Sequence, residues 1–168
     1  MSVVREWDVS TEEGFLVCYR ATFREIYGYA GLLSGHDRDR AEDLVHDVYL
    51  TALARVHSGE GTTVTFGYLR TAVRYRWIDR WRSEERELRR QGQAYDAGTE
   101  ARRDEFDDGA AVLLADLSTR ERTVMVMRYV DDMPVSRVAE QLGVTEGAIE
   151  SVLARALRRL RGGEVRHA

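Results

Sequence analysis

The 168-residue sequence has one cysteine, one proline, no lysine and no long hydrophobic run. Each absence excludes something. A lone Cys18 cannot staple the chain internally, which fits a reducing cytoplasm. With Pro134 as the single proline, long helices are unobstructed for most of the length. No stretch approaches the roughly 20 apolar residues that cross a bilayer, so no stable membrane association is expected. Residues near Met1 include Arg5, Glu6 and Asp8 with no apolar run, so no secretory leader is expected either. All 25 basic residues are arginine, which a GC-rich genome explains as readily as function does.

What is present fits small helical domains with much surface per unit of core: 43% hydrophobic and 32% charged residues. The formal net charge is -4, yet Thr65 to Arg90 holds eight arginines against four acids, a local +4 that leaves -8 elsewhere. So uneven a split points to two surfaces for two partners.

Helical periodicity recurs along the chain. Phe15, Tyr19, Phe23, Ile26, Ala30 and Leu33 are spaced by three or four from about Glu12 to Leu33, before the turn residues SGHDRD at 34–39. In RAEDLVHDVYLTALARV, 40–56, Val45, Val48, Ala52 and Val56 form one stripe, with Asp43, His46, Asp47 and Leu50 largely outside it. After the loop HSGEGTTVT, a third helix carries Phe66, Leu69, Val73 and Trp77 as its apolar stripe, flanked by Arg70, Arg74, Arg76 and Arg80. Tyr68 and Tyr75 point away from that stripe, where packing alone needs no aromatics. From Gln91 to Gly109 the pattern stops: two arginines, six acids and three glycines read as an acidic linker.

The second half restarts with AAVLLADL at Ala110, and STRERTVMVMRYVDD opens on a capping box, Ser118 to Glu121. PVSRVAEQLG and VTEGAIESVLARALRRLRG follow. Pro134 suits a first helical turn, Gly143 a helix end, and Thr145 the cap of the next helix. Two helices joined by a tight glycine turn are a helix-turn-helix candidate. Val135, Val138, Ala139 and Leu142 would hold its first helix, and Ile149, Leu153 and Leu157 its second. That leaves Thr145, Glu146, Ala148, Ser151, Val152 and Arg155 at a DNA groove, with Arg158 and Arg159 near phosphates. The plain alternative is a helical hairpin with a solvated arginine end. For the third helix the alternatives are a solvated arginine face with core tryptophans, or a single-strand surface on which bases stack while guanidiniums hold phosphates.

These segments resemble, in order, a bacterial sigma factor of the extracytoplasmic-function group. DRDRAEDLVHDVYLTAL is similar to that family's acidic polymerase-binding motif, and FGYLRTAVRYRWIDRWR to its promoter-melting helix, including Asp79-Arg80. LADLSTRERTVMVMRYVDDMPVSRVAEQLGVTEGAIESVLARALRRLR is similar to its second domain. The resemblance implies an all-α fold of two small helical domains, 10–90 and 110–162, joined by a flexible acidic linker at 91–109. It implies docking on the clamp helices of core RNA polymerase through Asp43, His46, Asp47 and Leu50. It implies recognition and melting of the −10 element by the loop Ser58 to Thr65 and by Arg70, Arg74, Tyr75, Trp77, Arg80 and Trp81. The −35 element falls to Thr145, Glu146, Ala148, Glu150, Ser151, Val152, Arg155, Arg158 and Arg159. Promoter DNA and core polymerase are the implied partners, with a cognate anti-sigma factor as a further one.

The sequence departs from the family at several points. Tyr75 stands where asparagine is frequent, His46 where glutamine is, and Glu150 and Val152 where lysine and arginine are, so the usual −35 preference does not transfer. Two other classes compete. Glu42, Asp43, His46 and Asp47 lie within two turns and suggest a metal site, but His36, His57 and His167 lack complementary spacing. No nucleophile motif or Gly-rich phosphate loop occurs, so no catalytic residue, metal or cofactor is expected. A stand-alone helix-turn-helix regulator with a helical sensing domain is the other alternative, and it leaves the acidic docking helix and the aromatic-basic helix without a purpose.

Overall fold

The computed structural model describes residues 4–92 and 113–164. The expected linker therefore lies almost wholly outside the described residues, as does the start of the AAVLLADL segment, whose residues 113–115 are helical. The chain divides into two compact units: residues through Gly31 together with Arg38 onward to the linker, and Leu32–Asp37 together with the C-terminal half.

The first unit contains α1 (Glu12–Ser34) as far as Gly31, with α2 (Arg38–His57) and α3 (Phe66–Arg90), and all three helices lie close to where helical period placed them. Its core is the buried stripe of each helix: Ile26 and Ala30 from α1, Leu44, Val45, Val48 and Ala52 from α2, Leu69, Val73, Trp77 and Ile78 from α3. Thr22 Oγ1 donates to the Cys18 carbonyl at 2.7 Å and meets the Tyr49 hydroxyl at 2.5 Å, giving a buried hydroxyl pair its partners. Tyr19 packs edge-on to Tyr49 with ring centroids 4.8 Å apart. Cys18 is buried, and burial pushes its thiol pKa up.

Two short strands were not expected. β1 (Glu6–Asp8) pairs antiparallel with β2 (Thr63–Thr65), Trp7 opposite Val64. Val9 N donates to the Thr62 carbonyl at 2.6 Å and Phe66 N to the Arg5 carbonyl at 2.9 Å, extending the staple at both ends. Strands of three residues are too short to show a period-2 pattern. Their effect is to anchor the second half of the loop that leads into α3, where Thr65 caps the helix by accepting from Tyr68 N at 3.0 Å.

In the second unit α4 (Thr119–Met125) begins with the expected capping box: Glu121 N donates to Ser118 Oγ at 3.3 Å and Ser118 N to Glu121 Oε2 at 3.0 Å. The helix widens into a π-helical segment at Val126–Val130, an irregularity the periodicity did not predict. Then come α5 (Val135–Leu142) and α6 (Glu146–Glu164). Pro134 sits one residue before the first helical turn, and Gly143, at φ 65°, makes the left-handed turn between the helices. Thr145 Oγ1 accepts from Ala148 N at 3.2 Å and caps α6. Val138, Ala139, Leu142, Ile149, Val152, Leu153 and Ala156 are buried and lock α5 to α6. Among the described residues no helix is long and apolar enough to cross a membrane, and no group of three or more His, Cys, Asp or Glu is placed to hold a metal.

Candidate nucleic-acid and partner interfaces

Because α2 buries Leu44, Val45 and Val48, residues offset from that stripe must face outward. Asp43, His46 and Leu50 are exposed and Asp47 is half-buried, so all four share one face at spacings of three and four. Leu50 is 64% exposed, an unusual state for leucine in the middle of a helix, one turn beyond Asp47.

That face is not purely acidic. Arg80 of α3 pairs with Asp47 Oδ2 through Nη2, and its Nη1 lies 3.9 Å from Asp43 Oδ2. Arg76 Nη1 lies 3.7 Å from Asp47 Oδ2, and its Nη2 donates to Thr51 Oγ1 at 2.5 Å. Thr51 in turn donates to the Asp47 carbonyl at 2.8 Å. One turn further along α3, Glu84 accepts from Arg40 at 3.0 Å. Arginines at i and i+4 of α3 thus meet carboxylates at i and i+4 of α2. This cross-helix network was missed in the sequence, although the matched spacing is a signal that could have found it.

The expected −10 residues divide by depth. Tyr75 is 49% exposed. Arg70 is half-buried, its guanidinium 4.9 Å from the Tyr29 ring centroid. Three expectations are corrected. Trp77 is buried on the apolar stripe itself, and Trp81 is buried because α3 has a wider apolar face than that stripe: positions 74, 78 and 81 lie beside 73 and 77 on the wheel and turn inward with them. Arg74 is likewise nine-tenths buried, with its guanidinium 5.9 Å from the Tyr75 ring centroid.

The loop before α3 has an open half and a stapled half. Ser58 to Gly61 are exposed, with positive φ at Gly59 and Gly61, and Thr62 onward is held by β1. Beneath it Arg55 lies 5.1 Å from the Tyr68 ring centroid, and a hydrogen bond with Tyr68 raises the arginine pKa. A cavity of about 10 Å³ between these residues and Val56 and Val64 holds one water at most.

On α6, Thr145, Glu146, Glu150, Ser151, Arg155, Arg158 and Arg159 are exposed and Ala148 is half-buried. Val152 is the correction here. It is buried beside Ile149 and Ala156, three and four residues away on the same stripe, and cannot reach a groove. Arg159 Nη1 is 3.1 Å from Glu121 Oε2, so one of the expected phosphate contacts also closes the α4 cap.

Comparison with known proteins adds the lineage. The family model described as Sigma-70 region 2 matches residues 18–87, and Sigma-70 region 4 matches 113–162. RNA polymerase sigma-E factor of Streptomyces antibioticus is 31% identical over 121 residues, 68% of this chain and 67% of that protein. The ECF RNA polymerase sigma factor SigX of Bacillus subtilis is 24% identical over 162 residues, 89% of this chain and 83% of that one. With RNA polymerase sigma factor SigF of Mycobacterium tuberculosis the match is local, 43% over 49 residues, and spans 19% of that protein's length. Among solved structures, the sigma factor RpoE of Bartonella quintana, crystallised with the anti-sigma factor NepR, has a like fold at TM-score 0.52 and 24% identity, covering 88% of this chain and 94% of that one. Two sigma-70 regions in order, with 31% identity to a sigma-E factor across 68% of this chain, mean that this chain belongs to the sigma-70 family of RNA polymerase sigma factors, in its extracytoplasmic-function group.

Proposed function

We propose that this chain is an alternative sigma factor that binds core RNA polymerase in the cytoplasm and directs initiation from its own promoters, without chemistry of its own. The α2 face of Asp43, His46, Asp47 and Leu50 docks on the clamp helices of the largest subunit. Tyr75, Arg70 and Arg80, with the open half of the loop from Ser58, take the unpaired −10 strand. Thr145, Glu146, Ala148, Glu150, Ser151, Arg155 and Arg158 on α6 meet the −35 duplex. The observation that carries this reading is the exposed Leu50 on the same face as Asp43 and Asp47, on a helix that buries Leu44, Val45 and Val48: such a face is built for a protein partner.

The division of labour follows the two units, with the acidic linker between them. A net charge of -4 opposes binding of the isolated chain to DNA, since that binding rests on neutralised phosphates. Unstacking a base costs about a few kcal/mol, which stacking on Tyr75 would offset in part. An anti-sigma factor is the expected inhibitor, because the Bartonella quintana neighbour was crystallised with one.

Run-off transcription with purified core polymerase tests the proposal. A start-specific transcript that depends on this chain is expected. Duplex binding by the chain alone, with no specific transcript on any template of a promoter library, would instead identify a stand-alone regulator.

A further inference from the structure

Asp43 and Asp47 are the carboxylates assigned to polymerase, and Arg80 is an arginine assigned to DNA, yet in this chain they hold each other. Arg80 reaches both carboxylates, and Arg76 reaches Asp47 and Thr51. The patch is therefore close to neutral, although α2 contributes acid and α3 base. None of the four is sealed from solvent: side-chain exposures are 36% for Arg80, 40% for Arg76, 38% for Asp47 and 72% for Asp43. A cation arriving at Asp47 must displace a guanidinium. A phosphate arriving at Arg80 must displace a carboxylate. Each arrival leaves unpaired the group that the other arrival needs.

We infer that Arg76 and Arg80 couple polymerase docking to capture of the DNA strand: paired with Asp43 and Asp47 they mask both binding faces, and occupation of either face unmasks the other. The inference rests on the docking reading of α2 given above. Linkage makes the coupling reciprocal, so polymerase raises the affinity for the strand by the factor by which the strand raises the affinity for polymerase. The sign separates this from a role in which the arginines merely orient the carboxylates. Orientation predicts weaker docking when the arginines are removed, and competition predicts tighter docking.

The test uses the full chain, purified core RNA polymerase, and a short fluorescent single strand of mixed sequence at low salt. Arg76→Gln with Arg80→Gln should bind core about five-fold more tightly than the parent, the scale expected for losing exposed ion pairs that compete with the partner. Asp43→Asn with Asp47→Asn should let the isolated chain bind the strand about five-fold more tightly than Glu12→Gln with Glu13→Gln, which removes equal charge from the exposed first turn of α1. Equal or weaker core binding by the arginine variant overturns the inference, as does a gain in strand binding no larger than that of the α1 control. Should the arginine variant unfold, as its melting temperature would show, the aspartate arm decides alone. Charge reversal, Asp43→Arg with Asp47→Arg, separates the two levels. If reversal abolishes core binding while the arginine variant gains nothing, the coupling falls and the docking assignment stands. If reversal leaves core binding intact, the docking assignment itself falls, and the coupling with it.

Discussion

Helices α3 and α6 are both rich in arginine and differ in what their arginines do. In α3, Arg74 is buried, Arg70 lies against Tyr29, and Arg76 and Arg80 are paired with α2. In α6, Arg155 and Arg158 face solvent, and Arg159 alone pairs with a buried acid, Glu121. Counting charge along a helix therefore misjudges what it offers a phosphate. An arginine that already has a carboxylate must lose it before it gains anything, and exposed pairs of this kind are individually worth about 0–1 kcal/mol. The second unit leaves Arg155 and Arg158 facing solvent, whereas the first holds Arg76 and Arg80 in ion pairs.

The largest expected effect tests the buried side of α3. Trp77→Ala removes a fully buried indole from the first unit and should cost about 3–5 kcal/mol of stability, while Tyr75→Ala, two residues earlier and half-exposed, should cost under about 1 kcal/mol. Urea midpoints measure both. Tyr75→Ala should instead show in promoter opening, as a weaker permanganate footprint of the bubble. If both variants lose similar stability, the depth assigned to α3 is wrong.

Next in size is charge reversal on α2. Asp43→Arg with Asp47→Arg puts four cations together where three ion pairs stood, and should weaken association with core by on the order of 100-fold. Far-ultraviolet circular dichroism should remain that of the parent, since both side chains lie outside the buried stripe. Unchanged co-purification with core would remove the docking face.

A smaller effect sharpens the contrast between the two helices. Arg155→Ala with Arg158→Ala should weaken holoenzyme binding to promoter duplex about ten-fold and lower the salt slope by roughly 2, as expected for two lost phosphate contacts. Arg74→Ala should leave the slope of duplex binding unchanged, because a buried guanidinium releases no counterion. Equal slopes for the two variants would erase the distinction between inward and outward arginines.

Most of the architecture was legible because it rests on period. Buried stripes on α1, α2 and α3, the capping box at Ser118 and the turn at Gly143 are local signals, and the folded chain keeps them. What escaped depends on neighbours. A helical wheel gives the direction of Trp81 and Val152 but not how far the covering helix extends, so both were placed at the surface and both are core. The β1–β2 pair joins segments more than fifty residues apart through strands of three residues, too short for any pattern. The Arg80 pairing with Asp47 needs the crossing of α2 and α3, which sequence spacing permits without dictating. Composition was least reliable where the charge was densest.

The smallest effect comes from the hydroxyl pair at the heart of the first unit. Burial drives the Tyr49 pKa from an ordinary 10.0 to about 12, and the hydrogen bond with Thr22 opposes that rise only in part. The folded chain therefore holds the phenol proton to a pH at which the unfolded chain has released it. Below about pH 10 both states carry the proton, and Tyr49 adds no pH dependence. Between about 10 and 12 the unfolded state alone loses it, so stability falls through that window. Tyr49→Phe has no proton to lose and should show a shallower decline over the same range, even if its stability at neutral pH is lower for want of the Thr22 partner. Cys18, also raised by burial, contributes to both chains and cancels in the difference. Urea midpoints of the two proteins from pH 8 to 12 measure that difference; parallel curves would mean that Tyr49 gives up its proton as easily folded as unfolded.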